Sequence, residues 1–206
     1  MIATAASLGP SQLEAAANVL VRAFVDDPGL HFVLPSQDER DRLGLHVARA
    51  AIRYTARCGA PLITTDEVRG VALWFPPDAT SPTPHDLVES GIAEVPNLLG
   101  SEAWRRLQRL LDHLDALHPR FAPEPHWFLA MLGVDPEWQR RGIGASLMQP
   151  IFDSADLDGL VCYLEAPTAA NARYYERRGF HVVTETDIPE SDVHIWLMRR
   201  EPQGRT

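Results

Sequence analysis

At 206 residues, with 45% apolar and 23% charged side chains, the chain suits one domain with a real core, and its composition excludes a disordered or fibrous class. A net charge of −9 is the wrong sign for a nucleic-acid binder, which needs a basic footprint, and suits either a cationic small substrate or plain solubility. No apolar run approaches the ~20 residues of a membrane helix, no secretory signal opens the chain, and two distant cysteines, Cys58 and Cys162, fit a reducing compartment, so a cytoplasmic location is expected.

In chain order, Ser11 stands as a candidate N-cap for a helix over 11–24, where Leu13, Ala16, Ala17, Leu20, Val21 and Phe24 recur at helical spacing. Asp26-Asp27-Pro28-Gly29 stops it. A second helix is predicted over 38–59, with Gly59 as its C′ residue. "APLITTD" and "RGVALWF" read as two strands joined by the polar turn "DEVR". A proline-rich loop, "FPPDATSPTPH" at 75–85, leads to helical stretches at 85–95 and 102–117, the second strongly amphipathic.

The second half alternates. A strand at 126–134 precedes the helix "GIGASLMQPIFDSAD", where Pro150 is expected to kink the helix or move its boundary. "LVCYLEA" (160–166) reads as a buried strand, "AANARYYERR" as a short helix, and "HIWLMRR" (194–200) as a terminal strand. The order predicts a mixed α/β sheet with a nucleotide- or phosphate-type site in its second half.

That site centres on "GVDPEWQRRGIGA" at 133–145. A helix opens with N–H groups that lack partners and with partial positive charge. Glycine lets the chain turn sharply and approach a ligand closely. Strand, turn, Gly142, Gly144 and helix start therefore make a candidate pyrophosphate cradle. The Q-x-x-G-x-G spacing from Gln139 lacks the Lys-Ser/Thr ending of a P-loop and is not G-x-G-x-x-G. Arg140 and Arg141 add cations nearby. Two glycines alone are equally a tight turn without a ligand.

With "YLEAPTAANARYYERRGF" further on, "LGVDPEWQRRGIGASLM" resembles the GCN5-related N-acetyltransferase (GNAT) superfamily over residues 126–181. The wider layout is most similar to its puromycin N-acetyltransferase-like actinobacterial members. The resemblance implies one GNAT domain over 1–206, a mixed α/β (α+β) fold. Its central sheet would be mostly antiparallel and twisted, with helices on both faces and strands 4 and 5 splayed apart. Residues 1–125 would form the acceptor-side half, with a helical insertion at 76–118, and 126–206 the acetyl-CoA-binding core.

It also implies site roles. The turn Gln139, Arg140, Arg141, Gly142, Ile143, Gly144 and Ala145 would hold the pyrophosphate of acetyl-CoA. The strand edge Leu132, Gly133 and Val134 would pair with the pantetheine arm, with Gly133 placed for a bulge that opens the gap. An N–H near Leu132 would receive the developing oxyanion. Asn171 and Tyr175, four apart on one helical face, would hold the arm and protonate the leaving thiol. Tyr174, about 100° around the helix, is left to core packing.

The acceptor side is less defined. Glu165 shares a strand face with Tyr163 and Val161 and is either the general base or a paired structural carboxylate. Asp27, Trp74 and His126 are candidate substrate contacts; the plainer readings are a loop cap for Asp27 and packing for His126. Trp104 is equally open, while Trp127 and Trp196 read as core. Cys162, mid-strand with no activating neighbour in sequence, reads as a small buried hydrophobe, not a nucleophile.

The expected activity is acetyl transfer from acetyl-CoA to a small-molecule amine in a ternary complex, without a metal, nucleic-acid or membrane partner, in a monomer or homodimer. Acetylation of a protein lysine or N-terminus and a non-catalytic acyl-CoA-binding module are the alternatives.

Overall fold

A computed structural model of the chain describes residues 4–79 and 82–204; part of the expected proline-rich loop, Thr80 and Ser81, lies outside the described residues. Seven strands form one sheet: β1 (Ala5–Ser7), β2 (Ala60–Thr64), β3 (Gly70–Phe75), β4 (His126–Val134), β5 (Val161–Ala166), β6 (His181–Asp187) and β7 (His194–Arg200). The spatial order is β1-β2-β3-β4-β5-β7-β6. Every pair is antiparallel except β4 with β5. The helices are α1 (Leu13–Ala23), α2 (Pro28–Val33), α3 (Gln37–Cys58), α4 (Pro84–Ser90), α5 (Val95–Phe121), α6 (Ile143–Asp158) and α7 (Ala169–Glu176).

Strand alternation distributes the core over both faces. Ala72, Trp74, Leu129, Cys162 and Leu164 pack with α6 and α7. Ile63, Val71 and Leu73 pack with α1 and α3 on the opposite face, where Tyr163, Ile195 and Leu197 meet α5. Leu147 and Met148 of α6 have no solvent exposure, and burying such side chains stabilises the fold by about 1.5–3 kcal/mol each.

Several expectations move. The helix expected from Ser11 begins at Leu13, after a 3₁₀ turn over Pro10–Gln12. The stretches expected at 85–95 and 102–117 become α4 and the long α5, which breaks its helical geometry at Gly100 (φ 74°). Pro150 neither ends nor displaces α6, which runs through it from Ile143 to Asp158.

Gly59 caps α3 in an extended conformation (φ −151°), not the left-handed one expected of a C′ glycine. Its reason is space: a Cβ there would lie under 3.0 Å from the Trp74 carbonyl oxygen across the β2–β3 pair. Gly59→Ala is therefore expected to destabilise the protein by about 1–3 kcal/mol, the cost of overpacking. The reading is a lower urea midpoint at unchanged slope; an unmoved midpoint would show that the two backbones separate freely.

Among the described residues no helix is long and apolar enough to cross a membrane.

Candidate active site

The parallel pair β4–β5 is short. It runs from His126↔Val161 to Leu129↔Leu164 and stops. Beyond it, β4 continues to Val134 bonded only to β3, and β5 continues through Glu165 and Ala166 bonded only to β7. The strands splay, leaving one edge of β4 from Ala130 to Val134 without a strand partner. Such an edge presents N–H and C=O groups that an extended ligand can pair with. The irregularity in the β3–β4 ladder falls between Leu73 and Trp74, opposite Ala130. Gly133 instead pairs regularly with Val71, and a Cβ there would collide with Leu20 and crowd Ala23 and Phe24. Its role is close approach of α1, not the expected bulge.

A cleft of about 490 Å³ opens beside that edge. Leu132 and Val134 come from β4, Gln139, Arg140, Gly142, Ile143 and Gly144 from the turn and α6, and Asn171 and Tyr175 from α7. The two distant motifs are thus brought together. The turn holds Arg140 (φ 60°) and Gly142 (φ 83°) in the left-handed region, which bends the chain sharply into α6 and leaves its first N–H groups facing outward. Three positions expected at the cofactor site do not line the cleft: Gly133, buried under α1, Ala145, and Arg141. The Arg141 guanidinium lies 4.5 Å over the Trp138 ring and donates to the Glu137 carbonyl.

Ala23, Ala170, Tyr174, Arg177 and Arg178 complete the lining. Tyr174, expected to pack on the core, does so half-buried and also lines the cleft: a Cβ on Gly144 would lie under 3.0 Å from its hydroxyl, so the ring lies against the start of α6. Arg178 stacks on it at 3.5 Å. Tyr175 is the more buried of the two, wedged against Tyr174 and Phe180 with ring centroids 5.2 and 5.7 Å away. Burial raises both phenols above their ordinary pKa. The one advance signal was the pair Arg177-Arg178 following the tyrosines. In a chain of charge −9 the described lining carries three arginines and no carboxylate, a local field that favours a polyanion.

On the other face of the sheet lies a second cavity, of about 360 Å³. Its walls are mostly apolar residues of α1, α2, α3 and α5, joined by Ala130 and Met131 of β4. The two cavities share a partition. In the last turn of α1, Ala23 faces the arginine-lined cleft while Leu20 and Phe24 face the apolar cavity. Along β4, Ala130 and Met131 serve one and Leu132 and Val134 the other.

Asp27 lines the apolar cavity, but its Oδ1 accepts from the Leu30 N–H at 2.8 Å as the N-cap of α2. Burial raises its carboxyl pKa. Trp74 is fully buried on the α6 side, edge-on to Trp127 and Phe152, so it is core and not a substrate contact. His126 lines neither cavity: its Nδ1 donates to the Glu124 carbonyl at 2.6 Å, and its Nε2 meets His118 Nε2 at 2.7 Å. A carbonyl only accepts, so that network places the proton on His126 Nδ1. His118, which sequence reasoning passed over, stacks on Tyr163 at 4.3 Å and is pushed down to about 4 by burial and by His126.

Glu165 is the first β5 residue past the last β4 pair, opposite the direction of Ala130. It accepts from the Tyr163 hydroxyl at 3.1 Å. Burial pushes it up to about 7, the Tyr163 bond pulls the other way, and Asp115 adds to the rise. Cys162 is fully buried and pushed up to about 12 by burial, which leaves no thiolate at neutral pH. Among the described residues no group of three or more His, Cys, Asp or Glu side chains is arranged to hold a metal.

Residues 99–180 match the acetyltransferase (GNAT) family. The chain is 26% identical over 195 residues to an uncharacterised N-acetyltransferase of Schizosaccharomyces pombe, covering 91% of this chain and 79% of that one. Its fold is similar to the crystal structure described as histone acetyltransferase HPA2 and related acetyltransferase from Corynebacterium glutamicum. The TM-score is 0.70 at 23% identity, over 100% of this chain and 99% of that one. It is also similar to arylalkylamine N-acetyltransferase 2 of Aedes aegypti, with TM-score 0.64 at 15% identity over 97% and 98%. The narrower likeness to puromycin N-acetyltransferase-type members stands on the sequence alone. The splayed strand pair, the glycine turn at a helix start and the Asn-Tyr helix agree with these matches, which identify a GNAT acetyltransferase domain over residues 99–180.

Proposed function

We propose that the protein moves an acetyl group from acetyl-CoA to the amine of a small molecule, with both substrates bound together. The observation that carries this reading is the shared partition: an arginine-lined cleft and an apolar cavity abut on the same free edge of β4. The protein works as one unit over 1–206, the upstream half supplying the acceptor walls and 126–206 most of the donor site.

Acetyl-CoA supplies the thioester. The backbone from Arg140 to Ala145 holds its pyrophosphate, with Gln139, Arg140, Arg177 and Arg178 around it. The free edge Leu132–Val134 takes the pantetheine arm as an added strand, and Asn171 steadies it. A backbone N–H near Leu132 receives the charge that develops on the carbonyl oxygen, worth about 3 kcal/mol per fixed donor. Glu165 takes the amine proton as the N–C bond forms. Tyr175, protonated at neutral pH, donates to the sulfur as the C–S bond breaks. Atoms balance without another reactant.

The test is initial-rate kinetics with acetyl-CoA and a panel of amines, read by thiol release. Intersecting reciprocal plots support a ternary complex; parallel plots, the sign of an acyl-enzyme, would overturn it. Tight CoA binding with no transfer to any amine would leave a binding module. Saturation only with peptide lysines would leave a protein acetyltransferase.

Glu165 gives a second reading. As a base it must be ionised, so kcat/KM should rise with pH through about 7. Glu165→Gln should abolish that limb and lower the plateau about 100-fold. The folded-state pKa lies above the ordinary 4.5, so the native state holds this proton more tightly and Glu165 costs stability as pH climbs across that window. The Gln variant is then at least as stable as the parent at pH 8. A persisting limb at about 7 would remove Glu165 from the reaction.

A further inference from the structure

Resting on that reading of the reaction, we infer that the acceptor is a primary monoamine with an apolar tail, which the second cavity receives. Leu30, Val33, Leu34, Leu107, Leu110 and Met131 supply much of its wall. The few polar side chains in the lining, Asp27, Gln37, Arg40 and Asp41, are largely engaged with the protein itself, the buried Arg40 Nε being the atom left without a partner. Arg40 donates to the Leu34 and Pro35 carbonyls, both at 2.7 Å, and to Gln37 at 2.8 Å. Gln37 in turn donates to Asp41 at 2.7 Å. Asp27 caps α2 through Leu30. A ligand entering here is asked for apolar surface: a second cationic group on it would lose water, and the carboxylates of Asp27 and Asp41 already accept from the Leu30 N–H and from Gln37.

The mouth points the same way. Of the five exposed large apolar side chains among the described residues, Val25 and Leu111, 45% and 42% exposed, belong to this lining. A tail lying between them would cover surface that otherwise faces water. On the sheet side the lining includes Ala130, where β4 leaves β5. An acceptor whose tail fills the cavity and whose amine reaches Ala130 stands at the splay, one position along β4 from the Leu129–Leu164 pair and toward the Leu132 edge of the donor cleft. Glu165, the next residue of β5, lines neither cavity. About 360 Å³ is near the small end of ligand sites, which span about 300–1,000 Å³, so the tail is a short alkyl or arylalkyl group.

The experiment compares straight-chain monoamines from butylamine to octylamine, phenethylamine, putrescine and a lysine-containing peptide, each with acetyl-CoA. Expected is a rise in kcat/KM of about three- to four-fold for each methylene buried, with putrescine and the peptide well below the monoamine of similar length. Ala51→Phe, which fills the cavity from α3, should collapse the octylamine-to-butylamine ratio of kcat/KM at least ten-fold. Leu107→Ala, which enlarges it from α5, should raise that ratio. It keeps the test alive if the phenylalanine variant fails to fold.

A flat monoamine series, or preference for the diamine or peptide, overturns the inference while leaving acetyl transfer intact. A chain-length dependence that appears only in the donor, across acetyl- to hexanoyl-CoA, assigns the cavity to the acyl group and also overturns it. Failure of every amine to release CoA removes the functional reading itself.

Discussion

Tyr175→Phe is expected to lower kcat about 100-fold while leaving KM for acetyl-CoA nearly unchanged, the pattern of a proton delivered only in the transition state. The ring is fixed by edge contacts to Tyr174 and Phe180, so the substitution removes a hydroxyl without opening a void. Burial raises this phenol above its ordinary pKa, which keeps it a donor across the working range. Tyr174→Phe is the matched control. Its hydroxyl lies at the start of α6 beside Gly144, where the pyrophosphate is held in our reading, so its loss should appear in KM for acetyl-CoA more than in kcat. Reversed effects would reassign the acid to Tyr174. Equal, small effects on both would leave the thiol to depart unassisted.

Gly144→Ala should have an effect of similar size on binding. The new Cβ would lie under 3.0 Å from the Tyr174 hydroxyl. Tyr174 has little room to yield, because the Arg178 guanidinium stacks on its ring at 3.5 Å and that arginine also bonds the Tyr174 carbonyl at 2.6 Å. The start of α6 must move, and with it the N–H groups aimed at the ligand. A displacement costing about 2 kcal/mol of binding raises KM for acetyl-CoA roughly 30-fold. The Gly144→Ala, Tyr174→Phe double variant removes the colliding oxygen and should recover most of the loss, a non-additivity that a general weakening of the fold would not produce. Gly142→Ala meets no atom within 4 Å. Its penalty comes only from φ 83°, about 1–2 kcal/mol of backbone strain, and Tyr174→Phe should not rescue it.

The donor half was legible because its parts are local in the chain. Gln139 to Ala145 and Asn171 to Phe180 are each a few consecutive residues, and the structure brings most of them to one cleft; a helix start offers unpaired N–H groups that suit an anion. Side-chain direction was less legible. Arg141 looks like another phosphate contact until Trp138 draws it away. Trp74 looks like a pocket wall at a strand end, but alternation puts it with Ala72 and Leu129 under α6; period two says that neighbours face apart, not which face is which. Two strands escaped notice. β1 is three residues of "AAS", too short for a pattern, and β6, "HVVTETD", is a largely unburied edge strand whose alternation is broken by an irregularity between Val182 and Thr184. The apolar cavity was invisible for a different reason: its walls come from α1, α2, α3, α5 and β4, and no linear window contains them.

The partition at the end of α1 has a consequence for how such a chain can change over time. Apart from Ala23, the cleft for the donor is drawn from residues 132–178, while the cavity takes nearly all its walls from residues 20–51 and 99–111. Substitutions at Ala51, Leu107 or Leu111 touch no side chain of the donor cleft. On the proposed reading, one stretch of the gene can be redrafted for a new amine while the other keeps its text. The two meet only along β4 and one helical turn, a seam narrow enough for lineages to exchange acceptors and retain their chemistry.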